Sequence, residues 1–447
     1  MAVARCAVRV PSLSRTPLLT RPAVRMLAYH APSMPARLCP QQSRSPSSLA
    51  PRRVDVAAAS SQRQQQGRAG AGLAAYSTSA PSPAAAKFVY NVCASYIAKG
   101  HAFDPSTHLF QFNPYNRVQP PKKGRGKASR PESGQDAFFV SRLGAVPGEV
   151  ALGVADGVGG WMDSGVDPAD FSHAFCDYMA AAAAAAPAAP ASSPDGTGKP
   201  LSARQLMQMG YEAVCHDPSI KAGGSTAIVG LLTADGRLEV ANLGDSGYIL
   251  LRLGGVHACS EPQTHAFNTP FQLSVVPPSV LRRAAAFGGA NLMDQPRDAE
   301  ISRHRLRHGD VLVFASDGLW DNLFNQDVLR IVGRAMTRAG AWVNTDRGVQ
   351  VAPDLRPYTS PAPADEAGAE DGGANAMATL QSQIATDLVG AAKLAGLSRT
   401  IDGPFAKEVK RYFPHEVWHG GKEDDICVVT VLVSEEEMPP APAKAKL

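Results

Sequence analysis

Four acidic clusters, far apart in the chain, each sit at the start or end of a short apolar run. They are Gln135-Asp136-Ala137, Ala155-Asp156-Gly157, Ser316-Asp317-Gly318 with Asp321 close behind, and Asp424-Asp425-Ile426. A strand rich in Val, Leu and Phe is driven out of water, and a carboxylate at its tip is costly to bury alone. One such tip is an ordinary turn residue. Four that could converge point to bound divalent cations, which turn the mutual repulsion of carboxylates into attraction. No His-rich or Cys-rich spacing accompanies them, so zinc and copper are disfavoured, while carboxylates, a backbone carbonyl and waters suit Mg²⁺ or Mn²⁺. Gly157, with no side chain in the way, could bring its carbonyl close to a cation. Asp156 could bridge two ions about 3.5–4 Å apart. Such a pair acidifies a shared water and neutralises a phosphate dianion, and phosphate-monoester hydrolysis is among the slowest uncatalysed reactions. The expectation is a metal-dependent enzyme.

These tips need strands to carry them. Ala137–Arg142 alternates weakly and Val150–Ala155 is a compact apolar run, so both read as strands. Ser225–Thr233, Arg237–Leu243, Tyr248–Leu253 and Val256–Cys259 follow as an all-β stretch. Asp235-Gly236 and Gly254-Gly255 mark tight hairpins between them, hence antiparallel pairing. Val311–Ala315 and Ile426–Val433 are further buried strands. Asp167-Pro168 is a helix start, an acidic cap with Pro at the first helical position. Phe171, Ala174, Phe175, Tyr178 and Met179 then share one face. A second helix is expected over 202–216, with Leu206, Met209, Ala213 and Val214 on one side. Others are expected over 326–339 and around Leu380, Ile384, Leu388 and Ala391. Helices on either side of a β-rich middle predict an α+β fold, a four-layer αββα sandwich of two antiparallel sheets packed face to face and flanked by helices.

Composition divides the chain. Of the 447 residues, the first 86 hold eleven Arg, no Lys and one acid, Asp55, so the rest carries 33 basic against 39 acidic residues. The body is mildly acidic, which argues against nucleic acid as a partner. No run approaches the roughly 20 apolar residues of a membrane span. Seven Cys show neither a zinc signature nor a disulfide framework, and most are expected to be small buried hydrophobes. The Arg-, Ser-, Ala- and Pro-rich segment 1–86 has the composition of a transit peptide. Its expected address is the mitochondrion (matrix), with the chloroplast as the alternative. The folded domain is expected over 87–434, with low-complexity insertions at about 180–200 and 344–376 and a disordered tail over 435–447.

The ordered blocks Gln135-Asp136-Ala137, Val154-Ala155-Asp156-Gly157-Val158-Gly159-Gly160-Trp161, Gly223-Gly224-Ser225-Thr226-Ala227, Asn242-Leu243-Gly244-Asp245-Ser246, Ala315-Ser316-Asp317-Gly318-Leu319-Trp320-Asp321-Asn322 and Glu423-Asp424-Asp425-Ile426 resemble the metal-dependent type 2C serine/threonine protein phosphatases over about residues 130–433. Gly165-Val166-Asp167-Pro168 and Phe267-Asn268-Thr269-Pro270-Phe271-Gln272-Leu273 resemble the organellar branch. The resemblance implies hydrolysis of phosphoserine and phosphothreonine in protein substrates by direct attack of water activated at a dinuclear Mg²⁺ or Mn²⁺ centre, in a monomer. It implies that Asp156 bridges both ions, that Gly157 supplies a carbonyl to the first, and that Asp317 and Asp424 complete the second. By the same resemblance Asp136 orients the attacking water, and Asp245 and Asp321 hold a third, weaker ion. Asp425 takes the place of the usual Asn and drops out as a ligand.

The departures concern charge and protons. Gln135 stands where many members have Glu, and Val158 replaces the His assigned as general acid. His265 is a candidate substitute, set against a structural role. Arg130 is the candidate phosphate-binding Arg, one residue out of the usual register and followed by Pro131; Lys127 is weaker. Trp161 and Trp320 are expected as core or site-wall aromatics. The alternative to an enzyme is a pseudophosphatase acting as a binding module. A phosphotransferase with an Asp nucleophile would need an Asp-x-Asp tip, which neither Asp156 nor Asp317 provides.

Overall fold

The computed structural model describes residues 87–112, 130–144, 148–187, 200–278, 280, 282, 294–360 and 379–436. The expected transit segment, Lys127, and the parts of the two insertions at 188–199 and 361–378 lie outside the described residues, as does 437–447. Strands β1 (Lys87–Ile97) and β2 (Leu109–Gln111) precede the hairpin of β3 (Asp136–Arg142) and β4 (Val150–Asp156). Helices α1 (Pro168–Ala185) and α2 (Ala203–His216) come next. The β-rich middle holds β5 (Gly223–Ser225), β6 (Ala227–Leu232), β7 (Arg237–Leu243), β8 (Gly247–Arg252) and β9 (Gly255–Cys259). Short strands β10 (Thr264–Ala266), β11 (Thr269–Pro270) and β12 (Leu273–Val275) lead to β13 (Glu300–Arg305) and β14 (Val311–Ala315). The chain ends with α3 (Asp317–Trp320), α4 (Asn325–Ala339), β15 (Trp342–Thr345), β16 (Gly348–Val351), α5 (Arg356–Thr359), α6 (Leu380–Leu397), α7 (Pro404–Tyr412) and β17 (Ile426–Glu436).

Two antiparallel sheets dominate. One has the order β2-β1-β17-β14-β8-β9, the other β13-β7-β6-β4-β3. Their facing surfaces enclose one apolar layer, including Val92, Leu152, Val154, Ile228, Leu250 and Phe314. The outer face of the five-stranded sheet packs against α1 and α2 through Phe171, Phe175, Met179 and Leu206. The outer face of the six-stranded sheet packs against α4 and α6 through Val332, Met336, Ile384 and Leu388. Each sheet is therefore buried on both faces, which is why its strands read as unbroken runs of Val, Leu and Ile. This is the expected αββα sandwich.

Several local expectations need correction. Met209 is exposed, and α2 buries Leu206, Met207, Gly210, Tyr211 and Val214 instead. Gly210 stands so close to Met179 and Phe175 that a Cβ there would meet Met179 Cγ at 2.5 Å, so the helix is in phase with its smallest residue, not with its largest. The polyalanine tract is not all insertion: residues to Ala185 complete α1, with Ala180 and Ala183 in the core. Residues 344–359, expected within a disordered insertion, form most of the β15–β16 hairpin and α5. Trp342 fastens that hairpin, its indole N–H donating to Gly309 O at 3.0 Å. The last strand runs to Glu436, two residues into the expected tail. Of the described cysteines, Cys93, Cys176 and Cys427 are buried, Cys259 is half-buried and Cys215 is exposed.

Candidate metal centre

The acidic tips converge because the two sheets end at the same edge. In the five-stranded sheet Asp136 opens β3 directly opposite Asp156, which closes β4. In the six-stranded sheet Ala315 closes β14 beside Val428 of β17, so Ser316-Asp317 and Asp424-Asp425 emerge together. Ser316 ties the pairs across the sandwich: its hydroxyl donates to Asp136 Oδ2 at 2.6 Å and accepts from Cys427 N at 3.0 Å. Asp156 is pinned by its backbone. Its N–H donates to Thr226 Oγ1 at 3.1 Å, and its carbonyl accepts from Thr226 N at 2.9 Å and Ser225 Oγ at 2.8 Å. Holding that aspartate still is the structural work of the Gly223–Ala227 block. Gly157 fits between Pro168 O and Gln135 O, where a Cβ would lie 2.7 and 3.0 Å from them. Gly318 likewise leaves room for the Asp425 carbonyl, which a Cβ would overlap.

A cleft of about 1000 Å³ opens over this edge, lined by Asp156, Gly157, Asp245, Asp317 and Asp424 among others. Asp136 lies beneath it, 1% exposed. Burial, then the neighbouring Asp425, pushes the Asp136 carboxyl well above its usual range. Burial and Asp317 do the same to Asp156. Asp245 is raised by burial, Asp317 and Asp321, and Asp424 by burial and Asp317. Asp321 is pushed up to about 7, mainly by burial. Asp317 alone goes the other way: burial pushes it up, but the Lys422 ammonium and a hydrogen bond from Asp156 hold it below its usual value.

Lys422 is the residue that sequence reasoning missed. Its Nζ lies 2.6 Å from Asp317 Oδ2, 2.7 Å from Asp321 Oδ2 and 3.1 Å from Asp424 Oδ2. As placed, no three His, Cys, Asp or Glu side chains among the described residues stand ready to hold a metal ion. The carboxylates are gathered on the ammonium instead. The donor chemistry nonetheless fits a divalent cation. The donors are hard oxygens, and Asp136 Oδ1 and Asp245 Oδ1 are buried with no hydrogen-bond partner, a costly state that a cation would relieve.

The remaining candidates divide. Asp425 is occupied: its oxygens accept from Lys99 N at 2.6 Å and Gln135 N at 2.9 Å, so it stitches two loops together. Arg130 lines the cleft and is bonded to Asp170 Oδ1 at 2.6 Å, with Asp167 at 3.8 Å. His265 is not among the residues lining the cleft; it bonds Asp294 Oδ2 at 2.9 Å and stacks on Phe271. Val158 lines the cleft and offers no proton. Trp161 and Trp320 are half-buried, their indoles donating to Gln272 Oε1 and Ala315 O. Lys99 and His101, unremarked in sequence, also line the cleft. Lys99 Nζ is 3.7 Å from Asp424. Only the Lys-x-Asp spacing of Lys422 and Asp424 hinted at the lysine's place.

Comparisons with known proteins identify the family of the chain. The family model for protein phosphatase 2C matches residues 123–349. Protein phosphatase 2C homolog 7, mitochondrial, of Saccharomyces cerevisiae is 30% identical over 306 residues, 68% of this chain and 75% of that protein. Protein phosphatase PTC7 homolog fig of Drosophila ananassae is 39% identical over 208 residues, 46% of this chain, and the match spans 56% of that protein's length. Among solved structures, the photosystem II phosphatase PBCP superposes with a TM-score of 0.45 at 23% identity, covering 71% of this chain and 96% of that one. The chain belongs to the protein phosphatase 2C family.

Proposed function

We propose that this chain is a metal-dependent protein serine/threonine phosphatase. One observation carries the reading: Asp136, Asp156, Asp317 and Asp424 reach one cleft edge from four distant segments, and two buried carboxylate oxygens there lack partners. Asp156, Asp317, Asp424 and the Gly157 carbonyl would hold two Mg²⁺ or Mn²⁺ ions, with Asp245 and Asp321 beside them. Bound there, the ions would neutralise the phosphate dianion and supply an acidified water. Asp136, fixed by Ser316, would orient that water. Arg130 is held by Asp170 through one hydrogen bond, and its guanidinium has five donors, so some remain for phosphate oxygens on the cleft wall. Val158 supplies no proton to the leaving serine or threonine oxygen, so that proton comes from water or from another group at the cleft. The substrates are phosphoproteins, the chain acts as a monomer without nucleic acid, and its site of action is mitochondrial. The arginine-rich first 86 residues and the yeast relative's name support that last assignment.

The test is phosphate release from p-nitrophenyl phosphate and from a phosphothreonine peptide. Activity is expected only with Mn²⁺ or Mg²⁺, stopping on addition of EDTA, and Asp317→Asn should lower turnover by at least about 100-fold without unfolding the chain. Activity that survives chelation would sink the mechanism. A folded, metal-loaded chain with no turnover on either substrate would favour a binding module on the same fold.

A further inference from the structure

We propose that Lys422 is a built-in cation of this centre, its ammonium standing in the third position, beside Asp321, that would otherwise take a metal ion. The inference rests on the phosphatase reading above. An ammonium has three donors and no acceptor. Two hydrogen bonds go to Asp317 and Asp321, and the Asp424 carboxylate pairs with the same nitrogen at 3.1 Å. The side chain is 16% exposed, and the Phe405 ring lies 5.3 Å from its nitrogen. Its backbone is clamped on both sides by one amide: Lys422 N donates to Asn322 Oδ1 at 3.0 Å, and Asn322 Nδ2 donates to Lys422 O at 2.8 Å. Asn322 follows Asp321 directly, so the helical turn that presents Asp317 and Asp321 also seats the lysine between them.

The placement within the carboxylate group is one-sided. Lys422 takes Oδ2 of Asp317, a carboxyl whose charge the Asp156 side chain also stabilises. It takes Oδ2 of Asp424, whose Oδ1 faces Asp425 N and Lys99. Asp136 and Asp156, on the opposite sheet, are not among its partners. The ammonium therefore fills the Asp321 side and leaves the Asp156 side to the two metal ions. Asp245 feels the charges of Asp317, Asp321 and Lys422, and its buried Oδ1 has no hydrogen-bond partner. Removing the positive charge would leave Asp245, Asp317 and Asp321 around an empty position, a set of hard oxygens suited to a divalent ion. A tethered ammonium cannot be lost by dilution or chelation, so this position would stay neutralised at any metal concentration. Lys422 is thus a positioning residue that acts through the carboxylates it holds.

Counting ions tests this. Mn²⁺ binding to the metal-stripped full chain would be measured by calorimetry and by metal content after desalting. Two ions per chain are expected for the wild type and for Lys422→Arg, which keeps the charge, and three for Lys422→Gln. The added ion should vanish again when Asp321→Asn is combined with Lys422→Gln. Three ions in the wild type would overturn the assignment, and this measurement needs no variant to fold. Two ions in a folded Lys422→Gln, even if held more tightly, would overturn it too, since the lysine would then be competing for a metal position that is already counted. No Mn²⁺ bound by any form would sink the phosphatase reading itself, a result distinguishable from both.

Discussion

At the scale of single residues, the centre is a set of charges that the fold would expel if they did no work. Asp136 shows this most sharply. It is buried, one oxygen accepts from Ser316, the other has no partner, and Asp425, Asp317 and Asp424 all repel its charge. An isolated buried carboxylate is among the most expensive groups a core can hold. Asp136→Asn keeps an acceptor for Ser316 and places an amide where neighbouring carboxylates can accept from it. The metal-free protein should therefore melt higher, by about 1–2 °C for each kcal/mol gained in a domain of this size, while turnover with Mn²⁺ falls at least about 100-fold. Thermal melts in EDTA and initial rates in Mn²⁺ check the two halves. A melt that moves down would mean that Asp136 stabilises the fold by its charge. The acidic residues were legible in sequence because each sits at a strand tip, where apolar pattern and charge meet. Lys422 was not, because two of its three partners, Asp317 and Asp321, lie about a hundred residues away, and the Lys-x-Asp spacing to Asp424 is the one local hint.

At the scale of elements, most of what was legible is buried on both faces, although the half-exposed β9 was expected and the largely buried β1 was not read as a strand. The strands β3, β4, β6, β7, β8, β14 and β17 and the helices α1, α2, α4 and α6 follow from apolar runs and caps. Strand β13 was missed because it is an edge strand, Glu-Ile-Ser-Arg-His-Arg, with no fully buried residue. Helix α7 was missed because it is short and buries only Phe405, Ala406 and Val409. The β15–β16 hairpin was misread because Asn, Thr, Asp and Gly describe a loop until Trp342 is seen anchored under Gly309. Caps offer a clean comparison between elements near the site and far from it. Ser202 caps α2 in a reciprocal box with Gln205, and Asp167 caps α1 by accepting from Ala169 N at 3.1 Å. Replacing either by Ala should cost about 1 kcal/mol. Only Asp167→Ala should also disturb activity, because Pro168 O packs against Gly157 and Asp170 in the first turn holds Arg130. Denaturant melts and KM measurements separate the two. Equal KM in both variants would show that the start of α1 does not shape the site.

At the scale of the whole molecule, the sandwich gathers the carboxylates and must bear their repulsion. Without metal it does so by taking up protons. Asp136, Asp156, Asp245 and Asp424 are raised, and Asp321 is pushed up to about 7 from its ordinary 3.8. A carboxyl whose pKa is higher in the folded than in the unfolded chain holds a proton that unfolding releases. Its contribution to stability is fully present below the unfolded value, near 4, and is lost as pH rises through the folded value, near 7 for Asp321. Asp317, lowered by Lys422 against its burial, runs the other way, but it is one group against five. Lys422 itself is raised further above neutrality by its three carboxylates and keeps its charge throughout that window. The metal-free protein should therefore melt at progressively lower temperature as pH rises from about 4 to about 7. Divalent ions reverse the sign, since they bind deprotonated carboxylates and displace those protons. The rise in melting temperature on adding Mn²⁺ should grow over the same interval, and both series can be followed by scanning fluorimetry in matched buffers. A metal-free melting temperature that stays level or climbs would mean that Lys422 already neutralises the cluster, leaving little repulsion for a metal ion to relieve.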